Sequence, residues 1–310
     1  MRCLVTGASG FLGSHLVRKL VHEGHQVLAA VRSSSDLWRL KDVHDRISFV
    51  FAPLKDVRSC RSEILTFRPE VTFHFAWTGG NSSKYANDCE QVFENVPGSL
   101  DLAQIVAEAG CSTLIYAGSS LEYGKFQIPA RETDLPAPTN LYGAAKYGTE
   151  ILLQGLCSAS GIRFCGVRVF WTYGHMDDPS RMIPSVIASL LAGKSPSLTE
   201  GKQLWDFLFI EDAIRALLLL ALTRDAEGIF NLGSGMPVAV RTVVELIKDS
   251  IDASPAVQFG AVPYGPHQVM HLEADISRLK MATGWTPQVR IEEGIRRTVG
   301  WYKENYAPRT

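Results

Sequence analysis

The chain reads as an α/β protein, a Rossmann-type doubly wound parallel sheet with a smaller mixed α/β C-terminal substrate lobe, and three stretches carry that reading. The first is Leu4-Val-Thr-Gly-Ala-Ser-Gly-Phe-Leu-Gly13, a short apolar strand running into three glycines spaced three apart and then into a helix pattern at Leu12, Leu16, Val17, Leu20 and Val21. The second is Leu114-Ile-Tyr-Ala-Gly-Ser-Ser120, an apolar run that ends in two hydroxyls. A strand that stops in this way leaves its polar end at the carboxyl edge of a sheet, where open α/β sheets bind ligands. The third is Tyr142-Gly-Ala-Ala-Lys146, whose two polar side chains lie four apart and project from one face of a helix.

In the first stretch the glycines form a phosphate-binding turn. Gly7 allows the tight turn, Gly10 lets a pyrophosphate approach the backbone, and Gly13 lets helix and sheet pack closely, with the helix amino terminus facing the anion. Ser9, Phe11 and Leu12 complete the expected cofactor contacts of this turn. The second strand, Gln26–Val31, ends where the adenosine ribose of a dinucleotide lies. Arg32-Ser33-Ser34 follow in place of the carboxylate that would accept a ribose 2′-hydroxyl. A guanidinium with hydroxyls suits a 2′-phosphate, so NADP(H) is expected over NAD(H), with Arg32 and Ser33 as contacts.

The βα alternation continues with strands at 49–51 and 71–75 and a helix over 57–67. Leu54 and Ala76, after the third and fourth strands, are further candidate cofactor contacts. His74 alternates with apolar residues and reads as a satisfied core histidine. Helical periodicity over 88–109 is interrupted by Pro97-Gly98, so a break is expected just after Asn95. A strand at 164–170 follows the Tyr142 helix. Beyond Gly174 the pattern turns to Pro-rich stretches and short amphipathic helices, including 242–251, 275–282 and 291–302. The expected division is residues 1–174 for the dinucleotide, with 206–232 returning to it, and 175–310 for the substrate. Asn231-Leu-Gly-Ser-Gly235 is read as a turn lining the cleft.

Composition narrows the partners. Lys plus Arg is 31 and Asp plus Glu is 32 among 310 residues, so no basic surface argues for nucleic acid. Cys3, Cys60, Cys89, Cys111, Cys157 and Cys165 show no paired short spacing, which favours buried reduced thiols over a metal site or disulfide framework. No basic-then-apolar leader precedes the first strand, and the most apolar helix, 214–222, is shorter than the roughly 20 residues that span a bilayer. A cytoplasmic protein without membrane contact is expected.

These stretches together, with Asn95 before Pro97-Gly98, Arg168-Val-Phe-Trp-Thr-Tyr-Gly174, Asp206-Phe-Leu-Phe-Ile-Glu-Asp212, Phe230-Asn-Leu-Gly-Ser-Gly235 and Gly284-Trp-Thr-Pro287, make the chain resemble the extended short-chain dehydrogenase/reductase family. Within it, the sugar-nucleotide epimerase/dehydratase branch is the nearer likeness. The resemblance implies that Ser119, with Ser120 as understudy, bonds the substrate oxygen. It implies that Tyr142 gives or takes the oxygen's proton and that Lys146 holds the nicotinamide ribose. A cation near the phenol is also expected to lower the tyrosine pKa. For Asn95 two readings stand side by side: a place beside the active-site water and lysine, as the family implies, or a partner for backbone freed by Pro97. Related proteins pair through the helices corresponding to those of Asn95 and Tyr142, which implies a homodimer.

Dehydratases of this branch carry an Asp-Glu pair directly after the catalytic hydroxyl, whereas this chain has Ser120 and Leu121. Glu122 is one residue out of register and reads as a loop carboxylate. The expected reaction is NADPH-dependent reduction of the 4-keto group of a nucleoside-diphosphate 4-keto-6-deoxy sugar. The alternatives are a nucleotide-sugar 4-epimerase, a reductase of a non-sugar carbonyl, and an NADP-sensing binding protein. Trp171 and Trp205 stand where relatives place an asparagine and an arginine, and Gly265 where an arginine often meets the pyrophosphate. Arg181 and His267 are the candidate compensating cations, and Trp171 and Trp205 candidate stacking surfaces.

Overall fold

Parallel sheets bury both faces, and the central strands here are continuous apolar runs. The computed structural model describes residues 1–79, 85–124, 128–252, 255–265 and 268–305. In chain order it runs β1 (Arg2–Thr6), α1 (Phe11–His22), β2 (Gln26–Val31), β3 (Ser48–Phe51), α2 (Arg61–Phe67), β4 (Val71–His74), α3 (Glu90–Phe93), α4 (Asn95–Glu108), β5 (Thr113–Ser119), α5 (Leu141–Ala159) and β6 (Arg163–Val169). It continues through β7 (Trp171–Tyr173), α6 (Met182–Leu191), β8 (Ser197–Leu198), β9 (Leu204–Trp205), β10 (Phe207–Phe209), α7 (Ile210–Leu222) and β11 (Gly228–Leu232). The last elements are β12 (Val238–Ala239), α8 (Val240–Ile251), β13 (Gln258–Phe259), β14 (His271–Leu272), α9 (Ser277–Thr283) and α10 (Ile291–Asn305).

Seven strands form one parallel sheet in the order β11-β6-β5-β4-β1-β2-β3. The order reverses between β1 and β4, so the crevice beyond their carboxyl ends is the ligand position of a doubly wound sheet. One core cluster includes Leu16 and Leu20 of α1 with Ala213 and Leu217 of α7, and another includes Leu102 of α4 with Leu153 of α5. Each such buried leucine contributes about 1.5 to 3 kcal/mol. Short strands pair outside the main sheet, β7 with β10, β9 between β12 and β14, and β8 with β13.

β5 outruns its neighbour. The last β4–β5 pair is His74 with Tyr116, so Ala117, Gly118 and Ser119 pair with β6 alone. Every residue of β5 is buried.

Two expected helices differ in the structure. Residues 57–67 do not form one α-helix: Leu54–Cys60 form a 3-10 turn, Cys60 leaves α-helical geometry at φ −101 and ψ 15, and α2 begins at Arg61. The break in 88–109 comes at Glu94, before Asn95, which opens α4. Pro97 then falls in the first turn of α4, where an N–H has no intrahelical partner to lose. Five of the cysteines are buried and Cys89 is exposed. Among the described residues no helix is long and apolar enough to cross a membrane, and no group of three or more His, Cys, Asp or Glu side chains is placed to hold a metal ion.

Candidate active site

At the carboxyl end of β1, Gly7 takes φ +68, a left-handed conformation that favours glycine. A Cβ on Gly7 would lie 2.8 Å from the Ala76 nitrogen, and one on Gly13 would run into the Gly7 carbonyl, so this turn closes only without side chains. Gly10 precedes α1 and is exposed, between a partly buried Ser9 and partly buried Phe11 and Leu12. No side chain caps α1, which leaves its first N–H groups for an anion. The cradle fits a dinucleotide pyrophosphate, and residues 7–13 would hold it.

A hydrogen-bond relay holds the facing loop. Thr6 Oγ1 accepts the N–H groups of Phe75 at 3.2 Å and Ala76 at 3.1 Å, and its own proton goes to His74 Nδ1 at 2.8 Å. His74 Nε2 then donates to Ser99 Oγ at 2.8 Å, and Ser99 donates to the Asn95 carbonyl at 2.7 Å. Burial pushes the imidazole down to about 3, so His74 is the neutral core histidine expected from its strand. Asn95 accepts the Thr78 N–H at 2.7 Å and donates to the Thr78 carbonyl at 3.2 Å. Its side chain therefore pins the loop after β4, and the reading in which it serves backbone freed by Pro97 is corrected. Ala76 and Trp77 lie in this pinned loop. Leu54 is buried against α4, where a Cβ on Gly98 would lie 2.5 Å from the Leu54 carbonyl.

Past the end of β4 the backbone of β5 is served by side chains. Lys146 Nζ donates to the Ala117 carbonyl at 2.8 Å, and the Ser119 N–H donates to Glu122 Oε1 at 2.7 Å. In return Ser119 Oγ accepts the Leu121 N–H at 3.2 Å, a reciprocal cap on the short 3-10 turn of Ser120–Glu122. Ser120 is buried in that turn.

The first turn of α5 is equally well anchored. Asn140 accepts the Gly143 N–H at 2.8 Å, Asn87 the Leu141 N–H at 3.2 Å, and the Ala86 carbonyl the Tyr142 N–H at 2.8 Å. Tyr142, Lys146 and Glu150 follow at intervals of four. The Lys146 ammonium is buried, 3.8 Å from the Trp77 ring centroid and 5.0 Å from that of Tyr116. Burial lowers its pKa to about 7, with the Glu122 charge opposing.

The expectation that Lys146 lowers the tyrosine pKa is corrected. Burial pushes the Tyr142 phenol up to about 12, and the groups that pull it back are the Ser119 hydroxyl and the Arg181 charge. Lys146 is turned instead to Ala117 and Trp77, whose ring meets Tyr142 edge-on at 6.2 Å.

Glu122 is also corrected, because it is no loop carboxylate. It is fully buried, and its Oε2 accepts from Arg168 Nε at 3.2 Å. Arg168 binds Glu150 through Nε at 3.2 Å and Nη2 at 2.6 Å, and its guanidinium lies 4.6 Å from the Tyr123 ring centroid. This buried cluster was missed in the sequence, although Glu150 continues the four-residue spacing of Tyr142 and Lys146.

On the far side of Tyr142, Arg181 precedes α6 with its guanidinium 5.1 Å from the Trp171 ring centroid and 3.8 Å from Asp177. Trp171 stacks on Trp205 at 4.5 Å and 28°, and Trp205 Nε1 donates to the Val269 carbonyl at 2.8 Å. The two indoles thus stack on each other. His267 lies outside the described residues.

At the adenosine end, Arg32 and Ser33 are exposed after β2, and the Arg32 guanidinium bonds to no described residue. Arg39, not anticipated from the sequence, donates to the Met176 carbonyl at 2.8 Å and reaches the Ser9 carbonyl at 3.4 Å.

A model of the NAD dependent epimerase/dehydratase family matches residues 3–233. Among curated relatives, a UDP-glucuronate 4-epimerase of Thermodesulfobacterium geofontis is 29% identical over 314 residues, covering 97% of this chain and 96% of its own length. The crystal structure of UDP-glucose 4-epimerase from Thermotoga maritima with UDP-glucose aligns with a TM-score of 0.87 at 26% identity, over 99% of this chain and 100% of that one. That of the UDP-glucose 4-epimerase of Thermus thermophilus in complex with NAD aligns with a TM-score of 0.87 at 27% identity, over 98% and 100%. The sheet order and the glycine cradle agree with these matches, and the chain belongs to the NAD-dependent epimerase/dehydratase family.

Proposed function

We propose that this chain inverts C4 of a nucleoside-diphosphate hexose, as a nucleotide-sugar 4-epimerase. The observation that carries the reading is the meeting of Ser119, Tyr142 and Lys146 at the overhanging end of β5, with no carboxylic acid at 120 or 121 to eliminate water. The similar proteins named 4-epimerases move the balance away from the net reduction expected from the sequence. A nicotinamide bound at the crevice supplies the hydride acceptor and donor. Tyr142 takes the proton of the 4-hydroxyl and returns it, Ser119 bonds the same oxygen, and Lys146 holds the ribose. The Arg181–Trp171–Trp205 stack, whose arginine charge reaches Tyr142, forms the wall toward the sugar nucleotide.

A second reading, net reduction with NADPH, is favoured by Arg32 and Ser33, which leave the ribose end open to a 2′-phosphate. Pairing of two copies through α3, α4 and α5 is part of the proposal, since Phe93, Ile151 and Leu152 are 76%, 49% and 47% exposed.

The deciding experiment incubates the chain with UDP-glucose and UDP-glucuronate plus NAD, and separately with NADPH and nucleoside-diphosphate 4-keto-6-deoxyhexoses. Product is followed by proton NMR and cofactor by absorbance. Interconversion of C4 epimers without net change of cofactor is expected. Steady NADPH oxidation with no epimer formed selects the reductase, and no turnover in either arm overturns both readings.

A further inference from the structure

Glu122 presents a carboxylate that the proposed reaction does not use, at the centre of a fully buried charge cluster. Glu122, Glu150, Arg168 and Lys146 are each no more than 4% exposed. Two carboxylates and two cations sum to zero, and the pairing is unequal. Arg168 grips Glu150 through two nitrogens at 3.2 and 2.6 Å, while Glu122 receives from it a single contact at 3.2 Å. Lys146 has no carboxylate within salt-bridge distance and donates to the Ala117 carbonyl.

Ala117 and Ser119 flank Gly118, and a Cβ on Gly118 would lie 2.5 Å from Glu122 Oε1. The carboxylate therefore rests on the glycine between the peptide groups bonded by Lys146 and by Glu122 itself. Any larger residue at 118 would displace it. Both Glu122 oxygens accept from N–H donors, which favours the ionised carboxylate against the burial and the Glu150 charge that push its pKa well above the usual carboxylate range.

We propose that Glu122 is a positioning residue for the Ser119–Tyr142–Lys146 set: its carboxylate fixes Ser119 through the backbone and stands as counter-ion to the Lys146 ammonium. The proposal rests on the roles assigned above to those three residues. The other titratable groups facing the pair are Tyr116 of β5, Tyr142 and Glu150 of α5, Arg168 of β6 and His74 of β4. Of these, Glu150 is engaged by Arg168, and the two tyrosines and His74 are neutral at neutral pH. Glu122 is thus the carboxylate left to face Lys146, in agreement with its being the charge that opposes the burial of Lys146. Without it, the ammonium is a buried cation held by one carbonyl and two ring faces, and it gives up its proton.

The test follows both partners of the pair by NMR, without substrate or cofactor. In protein carrying ¹³C-labelled lysine, assigned with Lys146→Met, the Lys146 titration midpoint should fall by about one pH unit or more in Glu122→Gln. In protein carrying ¹³C-labelled glutamate, Lys146→Met should raise the Glu122 midpoint, a measurement that stands even if Glu122→Gln fails to fold. Turnover of Glu122→Gln should drop about tenfold or more at pH 7, with less loss at lower pH, where the amine regains its proton. An unmoved Lys146 midpoint in a folded Glu122→Gln overturns the proposal, as does an unmoved Glu122 midpoint in Lys146→Met, whatever happens to activity. If the wild type turns over no sugar nucleotide, the functional reading fails while the two titrations still decide the role of Glu122.

Discussion

The Lys146 ammonium lies 3.8 Å from the centroid of the Trp77 ring, which is itself fixed by a hydrogen bond from its Nε1 to Gln91 Oε1 at 2.6 Å. A desolvated cation over an indole face gains about 0.5 to 2 kcal/mol. Trp77→Leu removes that face and leaves the Ala117 carbonyl and the more distant Tyr116 ring as the remaining partners. Cofactor affinity, measured by calorimetric titration with NAD⁺ and NADP⁺, should weaken by about 2- to 30-fold. Equal affinity in the variant would show that the ring only fills space.

Tyr142→Phe should preserve folding and cofactor binding and lower turnover by about 10²-fold or more. Because burial holds the phenol at about 12, the phenolate that takes the 4-hydroxyl proton is a small fraction at neutral pH, and turnover should climb with pH without levelling off below about 9. The limb expected near pH 7 belongs to Lys146, whose charged form exists below that value and is lost above it. Cofactor affinity should therefore decline as pH rises through 7, and Lys146→Met should abolish that decline. A Phe variant of normal turnover would return Tyr142 to the status of an ordinary helix residue.

What could be read from the residues was whatever local spacing encodes. The glycine turn, the strand ending in Ser119 and the helix carrying Tyr142 and Lys146 are each contiguous, and each stands where its pattern placed it. Contacts that join distant segments left no local trace. Glu122 and Arg168 lie 46 residues apart and Trp77 lies 14 residues from Gln91, so no window on either residue shows the partner. The misplaced helix break has a different cause. Proline punctuates a helix in its interior but is welcome in the first turn, and the backbone break at Glu94, which places Pro97 in that turn of α4, has no local sequence signal.

Arg32→Ala tests the ribose end. With the guanidinium exposed and bonded to no described residue, it is available to a 2′-phosphate, a contact worth on the order of 1.5 to 3 kcal/mol. Affinity for NADP⁺ should fall about tenfold or more in the variant while that for NAD⁺ changes little. An unchanged ratio of the two affinities would remove the observation that favours net reduction.

Pairing through α3 and α5 is checked by light scattering. Phe93 and Ile151 stand on elements that pack together and present apolar surface outward. The Phe93→Asp, Ile151→Asp double variant should shift a dimer to monomer without loss of thermal stability in the monomer. A wild type that is monomeric at micromolar concentration would defeat the pairing.

His74 and His15 should make the fold acid-sensitive. Both are buried and held down to about 3, His74 between Thr6 and Ser99, His15 against the His175 carbonyl. Below about pH 6.5 the unfolded chain binds a proton at each imidazole that the folded chain does not, so unfolding becomes easier as pH falls. The penalty is absent above 6.5, grows by about 1.4 kcal/mol per pH unit for each histidine, and reaches about 2 kcal/mol apiece at pH 5. It levels off only near pH 3. Urea unfolding between pH 7.5 and 5 should show this loss, and His74→Gln should be less stable at pH 7.5 yet flatter toward acid by the share of one histidine. A variant as steep as the wild type would mean that His74 takes up its proton while folded and that the Thr6–His74–Ser99 relay opens to admit it.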